Sequence, residues 1–247
     1  MIQLRAVQGK TGRLLAELLG AQGVVLTASN PKGIISYGVP IESKLPTLNG
    51  NAGKLNKFEE LGKLEEKKVP TIPFSQYPIR MIKTSVYFGR SFKHTKGKDI
   101  VVYKDWDAIP HYHKHQYFTQ FIPHIREFRV WTYRGRHLSA YEKIRRFKRG
   151  KNHPLKIWNW RNGYAFEYVP ECPEALKQIG RDAIAALDLD FGAVDVIETE
   201  DHRYLVLEVN TAPGTQGPRQ GLQNLATKMA NWVKGGMKKR RGDVKPD

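Results

Sequence analysis

The sequence predicts an α+β fold, and three observations carry that prediction. Residues 190–214 (DFGAVDVIETEDHRYLVLEVNTAPG) read as a β-hairpin, with apolar-rich runs at 193–199 and 203–209 on either side of a polar turn, Glu200, Asp201 and His202. Residues 117–122 and 126–133 are apolar strands, and Arg134, Gly135 and Arg136 make a hairpin turn into a further strand at 137–143. Segments 54–68 and 173–187 instead space their apolar residues as one helix face. Leu55, Phe58, Leu61 and Leu64 form the first stripe, and Ala175, Leu176, Ile179, Ala183, Ile184 and Leu187 the second.

In chain order, residues 1–53 form a small α/β lobe with a helical stripe at 12–19, a short buried-type strand at 24–28 and another at 34–37. Gln8, Gly9, Lys10 and Thr11 do not make a phosphate loop, because that motif needs a glycine five positions before Gly9 and Leu4 stands there. Turn residues at 46–51 end the lobe, and Val69 and Pro70 close the helix that follows. Strands at 86–90 and 100–103 enclose a loop, 91–99, with little apolar content. His111, His113 and His115 alternate along 108–116. On a strand this spacing sets three imidazoles on one face, able to ligate a transition metal, but such residues more often line an exposed edge or cap a helix. Segment 143–161 holds eight Lys and Arg and no acid, interleaved with Trp158 and Trp160, the mixture a stacking, phosphate-tracking surface requires. A final amphipathic helix at 222–233 precedes a basic tail.

A chain of 247 residues is long enough for one large domain or two small ones with ample core. Its 41 Lys and Arg against 24 Asp and Glu give a formal net charge of +17, which attracts polyanions: nucleic acid, nucleotides or an acidic protein. One cysteine, Cys172, excludes an intramolecular disulfide and a cysteine-based zinc cage, and fits a reducing, cytoplasmic setting. Neither an 18-residue apolar run nor a signal-peptide pattern is present, so no membrane partner is expected.

The hairpin carries the most specific chemistry. Glu208 and Asn210 lie two apart on one strand and project from the same face, and Asp195 can join them across the ladder. Two carboxylates and an amide oxygen form a hard, oxygen-rich site of the kind that holds magnesium beside phosphates.

Asp195, then Glu208, Val209 and Asn210 followed by Thr211, Ala212, Pro213 and Gly214, resembles the signature that closes an ATP-grasp catalytic domain, nearest to D-alanine–D-alanine ligases and RimK-type glutamate ligases. The resemblance implies an ATP-grasp fold of two α/β subdomains gripping ATP, at 54–122 and 123–234, after a shortened leading lobe at 1–53 and before a basic tail at 235–247. It makes Asp195, Glu208 and Asn210 the Mg2+ ligands. Lys57, in the stretch LNKFEELGKLEEKKVPTIP, matches a lysine that reaches the nucleotide phosphates. Arg90, ten positions before Ile100, stands where the family has a lysine; it keeps the charge and adds a bidentate fork. Thr95 and Gly97 fall on a hydroxyl and a glycine position of the phosphate-covering loop, while His94 and Asp99 replace glycines and imply a stiffer loop.

By the same likeness Gln120, Phe121 and Ile122 are the hinge that pairs with adenine through main-chain groups. Pro123 has no amide hydrogen, which leaves Ile122 as the donor. Glu127, seven after Gln120, takes the ribose; Arg129 and Lys143 meet the reacting phosphate; Asn159, Arg161, Thr215 and Gln216 face the substrate. The implied activity is an ADP-forming ligation of a carboxylate to an amine through an acyl phosphate, using ATP and Mg2+, with small-molecule or peptide substrates. No residue stands out as the general base. The acceptor is expected to be anionic or nucleic-acid-associated, with nucleic acid or an acidic protein as a partner through the basic surface; the alternative is a non-catalytic nucleic-acid-binding protein on the same fold.

Overall fold

The computed structural model describes residues 1–6, 10–77, 86–92, 100–105, 107–109, 114–146, 158, 163–214 and 219–238. In chain order the elements are β1 (Ile2–Ala6), α1 (Lys10–Leu19), a 3-10 turn (Gly20–Gln22), β2 (Val24–Val25), β3 (Ile34–Tyr37), β4 (Thr47–Leu48), α2 (Lys57–Glu66), β5 (Phe74–Ser75), β6 (Tyr87–Arg90), β7 (Val101–Tyr103) and β8 (Tyr117–Gln120). Then follow β9 (His124–Tyr133), β10 (Arg136–Arg145), β11 (Tyr164–Tyr168), α3 (Glu174–Ala186), β12 (Phe191–Thr199), β13 (Tyr204–Asn210) and α4 (Arg219–Lys234). They build three sheets: β2-β1-β3-β4, β5-β8-β6-β7 and β11-β10-β9-β12-β13. The first is parallel and the other two are antiparallel.

The five-stranded sheet organises the rest because its strands serve two cores at once. Side chains alternate along a strand, and on β9 Phe128 and Val130 enter one core while Trp131 and Tyr133 enter the other. The first core is closed by α3, through Leu176, Ile179, Ala183 and Ile184, and by Leu61 and Leu64 of α2. The second is closed by α4, through Leu222, Leu225, Met229 and Trp232, and by Leu4, Leu15, Ile35 and Tyr37 of the leading residues. Residues 1–53 therefore complete the hydrophobic core of the larger sheet. Further along β9 on the second face stand Arg129 and Glu127. The apolar cover ends there and a charged surface begins.

Local chemistry sets the joints. Arg134 and Gly135 both have positive φ, 47° and 72°, the two-residue turn whose twist matches an antiparallel hairpin. The segment 46–51, expected as turn residues alone, also contains β4, whose Leu48 is fully buried beside β3. β1 and β11 have no strong sequence signal: β1 is a short strand whose partners, β2 and β3, lie about 20–30 residues away. No helix among the described residues is long and apolar enough to cross a membrane.

Asn49 clamps the leading residues to the start of β12. Its amide donates to Asp190 Oδ2 at 2.7 Å, and its Oδ1 accepts from the amides of Asp190 at 2.9 Å and Phe191 at 3.3 Å. Arg134 completes the knot through Asp190 Oδ1 at 2.9 Å. Asn49 is fully buried with φ at 64°, a conformation that asparagine tolerates better than most residues. Asn49→Ala orphans two buried amides and strains the turn, so chemical denaturation should show a loss of about 2–4 kcal/mol of stability.

Candidate active site

The charged face is assembled by strand register. Asp195 on β12 lies opposite Arg129 on one side and Glu208 on the other. Arg129 grips it bidentately, Nε to Oδ1 at 2.7 Å and Nη2 to Oδ2 at 2.8 Å. A bulge at Leu207, where the β12–β13 register shifts, sets Glu208 and Asn210 on the Asp195 face while Val206 and Val209 stay in the core. Asn210 Nδ2 comes within 3.5 Å of Asp195 Oδ2. The three residues of the sequence motif therefore lie side by side on one face of the hairpin.

On the other side, Lys143 of β10 pairs with Glu127 and lies 3.6 Å from Asp195 Oδ2. The Phe166 ring of β11 covers this edge, 4.8 Å from the Arg129 guanidinium carbon and 5.7 Å from Lys143 Nζ. Asp195 is 4% exposed and Glu127 5%. Burial works to raise the Asp195 carboxyl, but Arg129 and Lys143 overcome it and hold the group at about 2. Glu208 is also held low: burial opposes its charge, and Lys57, Arg129 and Arg90 outweigh burial and the like charge of Asp195. For Glu127 burial wins, and its carboxyl is raised despite Lys143.

This donor set fits a hard divalent cation. Both carboxylates are ionised, and each carboxylate oxygen carries a second acceptor site, so the Arg129 bonds do not exhaust Asp195. No group of three or more His, Cys, Asp or Glu side chains is placed to hold a metal ion among the described residues, so the amide of Asn210 is needed to complete a three-residue oxygen set.

Opposite this face, β6 and β8 bring Arg90, whose Nε donates to Thr119 Oγ1 at 2.9 Å. The Gln120 amide donates to Pro73 at 3.0 Å and the Phe121 amide to Val86 at 2.7 Å, while the Ile122 carbonyl contacts His124 Nδ1 at 2.8 Å. The Ile122 amide has no backbone partner among the described residues. Lys57 of α2 donates to Glu60 and to the Val209 carbonyl. Thr95, Gly97, Asn159, Arg161, Thr215 and Gln216 lie outside the described residues, as do His111 and His113. His115 instead joins an aromatic group, its Nε2 2.7 Å from the Tyr103 hydroxyl.

Two participants escaped the sequence reading. Tyr37, buried, donates to the Pro213 carbonyl at 2.6 Å and so ties β3 to the segment leaving Asn210. Glu60 sits one helical turn after Lys57, a spacing that signals a helix pair, but among the apolar residues of α2 it reads as a solvated acid.

Two outcomes test these electrostatics. Arg129→Ala strands the buried Asp195 charge, and equilibrium unfolding should report a loss of about 3–5 kcal/mol. Burial pushes the Glu60 carboxyl up to about 7, against the pull of Lys57. A raised carboxyl holds its proton more tightly in the folded chain, so its contribution is complete below the ordinary value of 4.5 and is lost as pH rises through about 7. Denaturation across that window should show Glu60→Gln gaining roughly 3 kcal/mol relative to the unmodified chain.

Comparison with protein-family models and with curated sequences returns no match. Solved structures match over nearly their whole length. The ATP-grasp ligase PsnB complexed with minimal precursor, Mg and ADP has a TM-score of 0.67 at 11% identity, covering 96% of this chain and 97% of that one. An ATP-grasp RimK domain protein from Sphaerobacter thermophilus gives 0.64 at 19% identity, covering 94% and 98%. D-alanyl-alanine synthetase A from Vibrio cholerae gives 0.65 at 13% identity, covering 96% and 98%. With two antiparallel sheets set around one charged face, and such neighbours aligned from end to end, the chain has the ATP-grasp fold.

Proposed function

We propose that the protein is an ATP-dependent carboxylate–amine ligase that works through an acyl phosphate. The observation that carries this reading is the convergence of Asp195, Glu208 and Asn210 beside Arg129 and Lys143, on the sheet face that Arg90 confronts. In the reaction, a substrate carboxylate oxygen attacks the γ-phosphorus of ATP and the bond to ADP breaks. An amine then attacks the acyl carbon, and phosphate leaves as the amide forms.

Each step concentrates negative charge on phosphoryl oxygens, and preset cations stabilise such charge strongly in a site closed to water. Arg129, Lys143 and Arg90 are those cations. Asp195, Glu208 and Asn210 would hold Mg2+, which would neutralise phosphate charge. The Ile122 amide reads the base edge and Glu127 the ribose. Lys143 and Asp195 keep Glu127 and Arg129 in place until the nucleotide takes over part of their pairing.

Similar solved structures include ligases held with precursor peptides, and a net charge of +17 suits an acidic peptide. Residues 143–161, with Asn159 and Arg161, and Thr215 and Gln216 after the metal strand, are the segments proposed to meet it.

Mg2+-dependent ADP release, screened over amino acids, polyamines and acidic peptides, should appear in the intact chain. It should fall by about a hundredfold or more in Glu208→Ala without loss of the fold. Retention of RNA or DNA that ignores Glu208→Ala, with no ADP release under any substrate, would sink the ligase reading in favour of binding alone.

A further inference from the structure

β13 is the outer strand of its sheet, so half of its backbone groups face away from β12. Val206 satisfies them with residues 70–72. Its amide donates to the Pro70 carbonyl at 2.9 Å, and its carbonyl accepts from the Ile72 amide at 3.3 Å and the Thr71 hydroxyl at 3.0 Å. Past the bulge, the Val209 carbonyl meets the Lys57 ammonium instead. Val209 separates Glu208 from Asn210, so this contact sits at the centre of the metal-bearing end of the strand.

The lysine is delivered by a rigid element. Asn56 caps α2, its Oδ1 accepting from the Phe58 and Glu59 amides at 3.0 Å while Glu59 Oε2 accepts from the Asn56 amide at 2.8 Å. This capping box fixes the first turn, with Lys57 as its first residue. Glu60, 6% exposed, accepts from the same ammonium at 2.9 Å. Two of the three ammonium donors are thus spent on protein groups, and Glu208 holds the charge from a third side. A lysine on a solvated helix face makes no such contacts.

We propose that Lys57 and Glu60 are a positioning pair that pins the Glu208–Asn210 end of β13, keeping its side chains in register with Asp195. This rests on the Mg2+–ATP reading of the site. The two residues act as a unit, because Glu60 orients the ammonium and the ammonium holds the strand.

The test compares Lys57→Met and Glu60→Ala with the conservative Lys57→Arg and Glu60→Gln, in the intact chain. Hydrogen exchange at amides 207–210 is read without ligand, and calorimetry measures ADP binding with and without Mg2+. Lys57→Met and Glu60→Ala should each speed exchange at 207–210 and weaken Mg2+ binding in the presence of ADP by about tenfold, with metal-free ADP affinity unchanged in Glu60→Ala. The double variant should be no worse than either single one, and the conservative variants should stay close to the unmodified chain.

Loss of metal-free ADP affinity in Lys57→Met, with exchange at 207–210 unaltered, would make Lys57 a phosphate ligand and overturn the proposal. Should Lys57→Met fail to fold, Glu60→Ala against Glu60→Gln carries the same comparison. An unmodified chain that takes up no Mg2+–ADP would fail the ligase reading instead, and the exchange contrast alone would then decide whether the pair pins the strand.

Discussion

The buried pair between Arg129 and Asp195 is the constraint on which the molecule turns. Both groups are removed from water on neighbouring strands, an arrangement that costs desolvation energy and is repaid only by close, bidentate geometry. A hydrophobic pair of equal size would serve folding as well. The polar pair has a different consequence: it leaves an ionised carboxylate and a guanidinium fixed at the boundary between apolar core and open charged face. Lys143, Glu127 and Glu208 are arranged around it, and their charges are set by it in turn.

That boundary is made by the leading residues. On one face of the five-stranded sheet, Trp131, Tyr133, Phe191 and Ala193 are roofed by β3 and α4, and the next positions along the same strands are Arg129 and Asp195. The roof stops where the chemistry starts. Tyr37 and Asn49 hold it there by bonds to Pro213 and Asp190, at the two ends of the β12–β13 hairpin. The leading residues thus do structural work for the site, and Tyr37 reaches its border.

The two oxygen-bearing residues of β13 depend on a local irregularity. Without the bulge at Leu207, the register that buries Val206 would turn Glu208 and Asn210 into the core, since one residue of slip exchanges the faces of a strand. The bulge satisfies both demands, and α2 secures the strand beyond it. Site geometry and edge-strand protection are the same contacts here, for the outer side of β13 is met by residues 70–72 and Lys57.

By itself, the sequence determined the class of fold, most of the helices and long strands, and the oxygen set of the hairpin. These are local matters: periodicity, turn residues and a spacing of two on one strand act within a few residues. Only the tertiary structure decided what each charge does. Lys143 opens a run of eight basic residues that reads as a phosphate-facing surface, and the tertiary structure adds that it is buried against Glu127, with β10 turning it under Phe166. Lys57 reads as a phosphate-reaching lysine, and its bonds to Glu60 and to the Val209 carbonyl appear only when α2 packs on β13. Desolvation and partner choice depend on what folding brings near, as it brings Val209 to Lys57 and Asp195 to Lys143, and no pattern within a single segment records that.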